Sequence, residues 1–144
     1  MPFKIETLLY AKSVVSVSEY LYYYRLNRPG QDVSCDDQRL YVHFDIFEYL
    51  DNIANKLQNQ KVIDYLQVVK LHTHTWALEL IKDDFALEYA RKAKADMLKN
   101  MSAMRSLVLT LQHSNKRHLL SNLSIMLENP NLYRKVLQYI MKIK

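Results

Sequence analysis

Glycine is almost missing from this chain: Gly30 is the only one among 144 residues. Loops that cradle phosphates need several glycines for close backbone approach, so neither a P-loop nor a dinucleotide fingerprint is present. Cys35 is the single cysteine, which excludes an intrachain disulfide. No apolar run approaches the roughly 20 residues of a membrane-spanning helix. The opening Met1-Pro2-Phe3-Lys4 lacks the apolar stretch of a secretory signal. A reducing, cytoplasmic setting is the expectation from these absences. No Asp-x-Asp occurs anywhere in the sequence either.

What remains is enough for one domain with a real core. Hydrophobic residues make up 49% and charged residues 24%, which favours a globular chain over a disordered one. The net charge of +5 is unevenly spread. Lys116, Arg117, Arg134, Lys135, Lys142 and Lys144 face Glu128 alone in the C-terminal stretch, whereas the rest of the chain is balanced. Such a tail can be a solvated helix face, or it can hold the protein at anionic lipid on the inner face of the membrane at about 1 kcal/mol per well-placed cation. Nucleic acid is not expected, because no recognised motif accompanies the charge.

Along the chain, Ile5, Leu8 and Leu9 have helical spacing. The Ser13–Val17 and Tyr20–Arg25 stretches then turn to β-branched and aromatic types. This predicts a short helix and a two-stranded β-hairpin through Ser18-Glu19. Asn27-Arg28-Pro29-Gly30-Gln31-Asp32 carries the strongest turn chemistry. Beyond it the pattern is helical. Asp36 or Asp37 caps a helix with Leu40, Phe44, Phe47, Leu50, Ala54 and Leu57 on one face. A second helix carries Val62, Leu66, Val69, Thr73, Trp76 and Leu80, and the two form an αα-hairpin joined near Asn59-Gln60. Asp83-Asp84 caps a third, whose stripe runs from Ala86, Ala90 and Ala93 through Met97, Met101 and Met104 to Val108 and Leu111. Ser114 caps a fourth with Leu119, Leu120, Leu123 and Leu127. Asn129-Pro130 opens a last helix with Leu132, Val136, Tyr139, Ile140 and Ile143. The predicted fold is therefore mainly α, a bundle of about four to five helices preceded by a short helix and a two-stranded β-hairpin.

Several residue groups resemble sites and have simpler explanations. Alternation puts Tyr22 and Tyr24 on one face and Tyr23 on the other, so the tyrosine run reads as packing before sugar stacking. His72 and His74 are two apart on a helix, about 200° around the axis, and do not converge on one ion. Cys35 has no partner motif and no obvious activating base, and reads as a structural thiol or a loop residue. The Asp36-Asp37 and Asp83-Asp84 pairs precede helices, where capping accounts for them.

Taken jointly, Pro2-Phe3, Leu8-Leu9-Tyr10-Ala11-Lys12, Leu21-Tyr22-Tyr23-Tyr24-Arg25 and Asn27-Arg28-Pro29-Gly30-Gln31 resemble, in order and spacing, a stretch of the bacterial family 2 glycosyltransferases that build capsules, teichoic acids and other surface glycans. The resemblance covers about a fifth of the chain. It implies that residues 1–35 form the edge of a catalytic domain, as a helix, hairpin and Arg-Pro-Gly turn, and that residues 36–144 form a C-terminal helical domain. The nucleotide-sugar domain, its divalent metal and the acidic catalytic base would then lie on an N-terminal part outside this sequence. No cofactor is expected in this chain, and it is expected to be inactive alone. Arg25 and Arg28 flank the turn at the implied cleft rim, where a guanidinium would contact donor diphosphate or an anionic acceptor. Gln31 is implied as a polar acceptor contact.

The implied role is acceptor-side recognition, stabilisation or assembly in surface polysaccharide synthesis. The implied partners are the N-terminal catalytic domain, a lipid-linked or anionic glycan acceptor, and a second copy of the chain. The alternative is a free-standing helical protein-interaction module with no catalytic neighbour.

Overall fold

The computed structural model describes residues 2–16, 18, 19 and 35–142. Among them are seven α-helices: α1 (Pro2–Tyr10), α2 (Val42–Leu57), α3 (Gln60–Leu80), α4 (Asp83–Leu98), α5 (Ala103–His113), α6 (Lys116–Met126) and α7 (Pro130–Lys142). A 3-10 turn, Gln38–Tyr41, leads into α2. The mainly α expectation holds, but the β-hairpin is not present: no described residue is in a strand. Ser13–Ser16, the described part of its first half, is irregular. The Tyr20–Arg25 half lies outside the described residues, as do Gly30 and its turn. Valine favours strands because it packs well on a half-buried pleated surface. Val14 and Val15 are 69% and 87% exposed, so no such surface meets them.

Helix boundaries follow the capping residues. Asp37 Oδ1 accepts the Arg39 amide at 3.0 Å and starts the 3-10 turn. Asp36 instead ties the turn to the α3–α4 junction, through its carbonyl to the Lys82 amide and its carboxylate to Lys82 Nζ. The α2–α3 link is Gln58 in the left-handed region and Asn59, whose side chain accepts the Lys61 amide. Asp83 and Asp84 do not cap α4. They lie within its first turn, where their charge opposes the helix dipole, and Lys82 stands before them.

The expected helix from Asp83 to Leu111 is two helices. Ser102 takes the N-cap position and accepts the Arg105 amide at 3.3 Å, so the chain turns between Lys99 and Ser102. Six α-helices therefore follow residue 36, and not four to five. Asn115, not Ser114, caps α6, accepting the Arg117 and His118 amides. A Schellman motif ends it, with Glu128 N–H bonded to Ile125 O, Asn129 N–H to Ser124 O, and Glu128 at φ 52°. Asn129-Pro130 opens α7 as its sequence implies, Asn129 accepting the Leu132 amide at 3.2 Å.

Helix α3 is the hub. It packs on α2, α4, α5 and α6, while α7 rests on α6 and α4. Ala86, Ala90 and Ala93 are fully buried, and these small side chains let α4 approach closely. A second, smaller cluster joins Ile5 of α1 to Phe47, Leu50, Ala54 and Leu66. So α1 is not a detached arm: it packs on α2, and Tyr49 OH donates to Glu6 at 3.0 Å.

Among the described residues, two non-glycine residues have positive φ, Gln58 at 49° and Glu128 at 52°, in a conformation that costs roughly 1–2 kcal/mol where a Cβ is present. Gln58 is exposed, whereas the Glu128 carboxylate binds Lys94 at 2.8 Å and Arg91 at 3.3 Å. Gln58→Gly should therefore raise the melting temperature and Glu128→Gly should not, because the second change gives up a two-cation clamp onto α4. Thermal denaturation of the two variants beside the parent checks this.

Candidate functional site

Three consecutive helices put polar side chains where a core would ordinarily be apolar. Asp51 of α2, Lys70 and His74 of α3, and Tyr89 of α4 are each at most 1% exposed. Lys70 Nζ donates to Asp51 Oδ2 at 2.8 Å, to Asp96 Oδ1 at 2.8 Å and to the Asp96 carbonyl at 3.2 Å, which accounts for its three protons. Asp96 Oδ2 meets His74 Nε2 at 3.0 Å, and His74 Nδ1 meets Tyr89 OH at 2.9 Å. The Phe44 ring stacks on His74, Phe47 packs edge-on to it, and Lys70 lies 5.7 Å over the Phe47 ring.

Protonation states follow from these partners. Burial would raise the Asp96 carboxyl, but the hydrogen bond from His74 and the Lys70 charge outweigh it and hold the group below its ordinary value. Asp96 is therefore ionised and accepts from His74 Nε2–H. Burial lowers His74, so the imidazole is neutral, and its bare Nδ1 accepts the Tyr89 hydroxyl proton. The Tyr89 phenol is pushed up by burial and remains protonated. Asp51 is raised by burial in spite of the Lys70 contact.

An Asp–His–Tyr line is the geometry of a proton relay, but Tyr89 is fully buried and cannot reach a substrate. One edge of the line comes near the surface. A groove of about 680 Å³ runs between the 3-10 turn with the start of α2 and the outer face of α4, and Asp96 is among its lining residues. Tyr41 and Phe44 supply apolar wall, and Gln38, Asp45, Glu48, Lys92 and Lys99 supply polar rim. The Lys92 ammonium lies 5.0 Å over the Tyr41 ring, and Lys99 pairs with Glu48 at 3.4 Å. An aromatic wall with hydrogen-bonding groups of both signs suits a polar, uncharged ring such as a sugar better than a bare ion.

The basic residues singled out from the sequence do not gather here. Arg117 binds Glu79 and Tyr133, joining α6 to α3 and α7. Arg134 is 19% exposed and is held by Asp83 and by the Leu78 and Ile81 carbonyls. These two are clamps. Lys116 and Lys135 are exposed, and Lys142 is the last residue of α7. Lys144, Arg25, Arg28, Gln31 and the Tyr22–Tyr24 run lie outside the described residues. Cys35 is buried in the main core. His72 and His74 point apart as their spacing requires: His72 meets Ser114 on the outside and His74 faces inward.

The buried network escapes a sequence reading because its members occupy core positions. On α3 the apolar-stripe assignment centres on Val69, Thr73 and Trp76, yet the residues that face the core include Gln67, Lys70, His74 and Thr75. Polar groups on the inward face displace the apparent stripe around the helix. The available signal is the i, i+4 spacing of Lys70 and His74 with Leu66 within a helix flanked by apolar residues. No family model matches the chain, and neither curated proteins nor solved structures give a match.

Lys70→Met would leave the Asp51 and Asp96 carboxylates uncompensated in a dry interior, a loss of about 3–5 kcal/mol for a broken buried pair. Adding Asp51→Leu should recover part of that loss, because the second change removes one of the two orphaned carboxylates. Chemical denaturation of the single and double variants measures both effects.

Stability should also depend on pH. Burial lowers His43, His72, His74 and His118 from the ordinary 6.5. Below about 6.5 the unfolded chain binds protons that the folded one resists. The stabilisation is thus complete above 6.5 and is lost as pH falls through it. Asp96 adds the same sense of dependence only below about 3.8, and Asp51 opposes it. The melting temperature should fall between pH 7.5 and 5.5, with a shallower slope in His74→Gln.

Proposed function

We propose that this chain is a helical module of a family 2 glycosyltransferase of surface-glycan synthesis, serving acceptor-side recognition or assembly and not catalysis by itself. The observation that carries the reading is the placement of α1. That helix holds most of the described part of the resembling segment, and it packs into the helical body through Ile5 while leaving Phe3 80%, Tyr10 61% and Leu8 41% exposed. One element therefore joins a glycosyltransferase-like sequence to the bundle on one side and offers apolar surface on the other. The groove beside Tyr41 and Asp96 supports the acceptor-side part of the reading, since its aromatic wall and mixed polar rim match a glycan.

The interior chemistry is consistent with a supporting role. Every ionised group of the buried network is bonded within the network, so none is left as an accessible general base. The second reading, a free-standing interaction module, draws on α5, where Met104, Val108 and Leu111 lie exposed at helical spacing.

Calorimetry separates these readings from an autonomous enzyme. Titrated with UDP-sugars and Mn²⁺, the chain should give no specific binding, and a micromolar UDP-sugar complex would overturn the module reading. The reading frame upstream of the coding sequence then decides between the two modules: a glycosyltransferase domain ending in Glu-Asp supports the first, and its absence supports the second.

A further inference from the structure

At the junction of α5 and α6, away from the Tyr41 groove, three of the chain's five histidines line one open hollow of about 500 Å³. His72 comes from α3, His113 from the end of α5 and His118 from the first turn of α6, with Gln112, Ser114 and Asn115 completing the wall. The His72 and His118 rings stack at 4.0 Å between centroids and 23° between planes, and His72 Nε2 is 3.2 Å from Ser114 Oγ. Among the described residues no carboxylate lines the hollow.

We propose that this hollow binds a phosphate ester, and that binding is coupled to proton uptake by the stacked histidine pair. A metal does not fit the geometry. The in-plane lone pairs of stacked rings run side by side and do not converge on one ion. Among the described residues no group of His, Cys, Asp and Glu is arranged to hold a metal. An oxyanion does fit, because imidazole N–H groups and a serine hydroxyl are donors and a protonated imidazole adds charge.

The surrounding charges are favourable. On α6, Lys116 is exposed one residue after Asn115, and Arg117 follows it and acts on His118; on α3, Glu79 is the acid that acts on His118, and it is engaged by Arg117 and by Tyr133 of α7. His113 is the titratable group from α5. The first amides of α6 do not make the site, since Asn115 Oδ1 already accepts those of Arg117 and His118. Without an anion, two stacked imidazoles resist protonation, and burial lowers both of them. Among the described residues the Nδ1 of His118 is buried without a partner, which adds to that resistance. A bound anion supplies the missing counter-charge, so anion and proton bind together.

The test uses dimethyl phosphate, whose charge is constant between pH 5.5 and 7.5, with chloride holding ionic strength fixed. Histidine ring resonances are followed by NMR. The expected result is that the His72, His113 and His118 resonances respond and that His72 and His118 titrate at higher pH in its presence, while His43 and His74 do not respond. Affinity should rise as pH falls, up to about tenfold per pH unit for one coupled proton. His113→Gln, an exposed change that keeps the fold, and His118→Gln should each weaken binding severalfold.

Vesicles containing phosphatidylglycerol distinguish a lipid headgroup from a soluble diester. Vesicle binding lost in both variants assigns the same site to the headgroup. No response of the three resonances, an equal response of all five histidines, or vesicle binding that survives both variants would overturn the proposal.

Discussion

Lys70 is the group on which the arrangement of α2, α3 and α4 depends. Its ammonium sits 2.8 Å from carboxylates on two different helices, in an interior where its side chain is 2% exposed. Moving such a charge out of water costs several kcal/mol, and only close, well-aligned partners offset it. The three helices must therefore meet in a register that brings Asp51 and Asp96 to the same nitrogen. A shift of one turn, about 5.4 Å, would leave at least two buried charges unpaired. Apolar packing alone tolerates such shifts far better, so specificity of register is what this network contributes most.

His74 and Tyr89 extend that constraint from charge to hydrogen bonding. Because Asp96 is ionised on one side, the imidazole has a single workable tautomer, and Tyr89 then has a single workable proton direction. Phe44 and Phe47 shield the line from water, which makes each bond stronger and each failure costlier. The same closure removes the chemistry. A histidine between an acid and a phenol is an ordinary catalytic arrangement where solvent or substrate can enter, and here only Asp96 approaches a groove.

Much of the fold was legible in the sequence because helices write their boundaries in local chemistry. Asn59 and Asn129 with Pro130 are capping residues whose side chains do what their type suggests, and the αα-hairpin of α2 and α3 follows from the first, whereas the cap of α6 falls on Asn115 and not on Ser114. Errors arose where two local signals competed. Ser102 interrupts a stripe that runs on in period from Ala86 to Leu111, and its cap prevailed over the period. The valines near residue 15 have strand propensity, but propensity of that kind is realised only on a surface that packs against it. The candidate site was less legible still, because a buried lysine and its two acids look, one by one, like solvated charges. Only their juxtaposition across Asp51, Lys70 and Asp96 reveals them, and that is long-range information.

The α4–α5 break carries a further consequence for reading periodic sequences. Ala86, Ala90, Ala93 and Met97 are buried to 2% or less, whereas Met104, Val108 and Leu111, in step with them by sequence, are 43% to 72% exposed. A period of three to four states that a stretch is helical and has one apolar side. It does not state which neighbour covers that side, since the neighbour is chosen by the turn that precedes the helix. At Ser102 the chain swings α5 so that Ser106, Leu109 and Thr110 face inward, where Asn122 bonds both the Ser106 and Thr110 side chains. The buried face of α5 thus includes a polar contact with α6 beside Leu109, and Met104, Val108 and Leu111 are left on the outside.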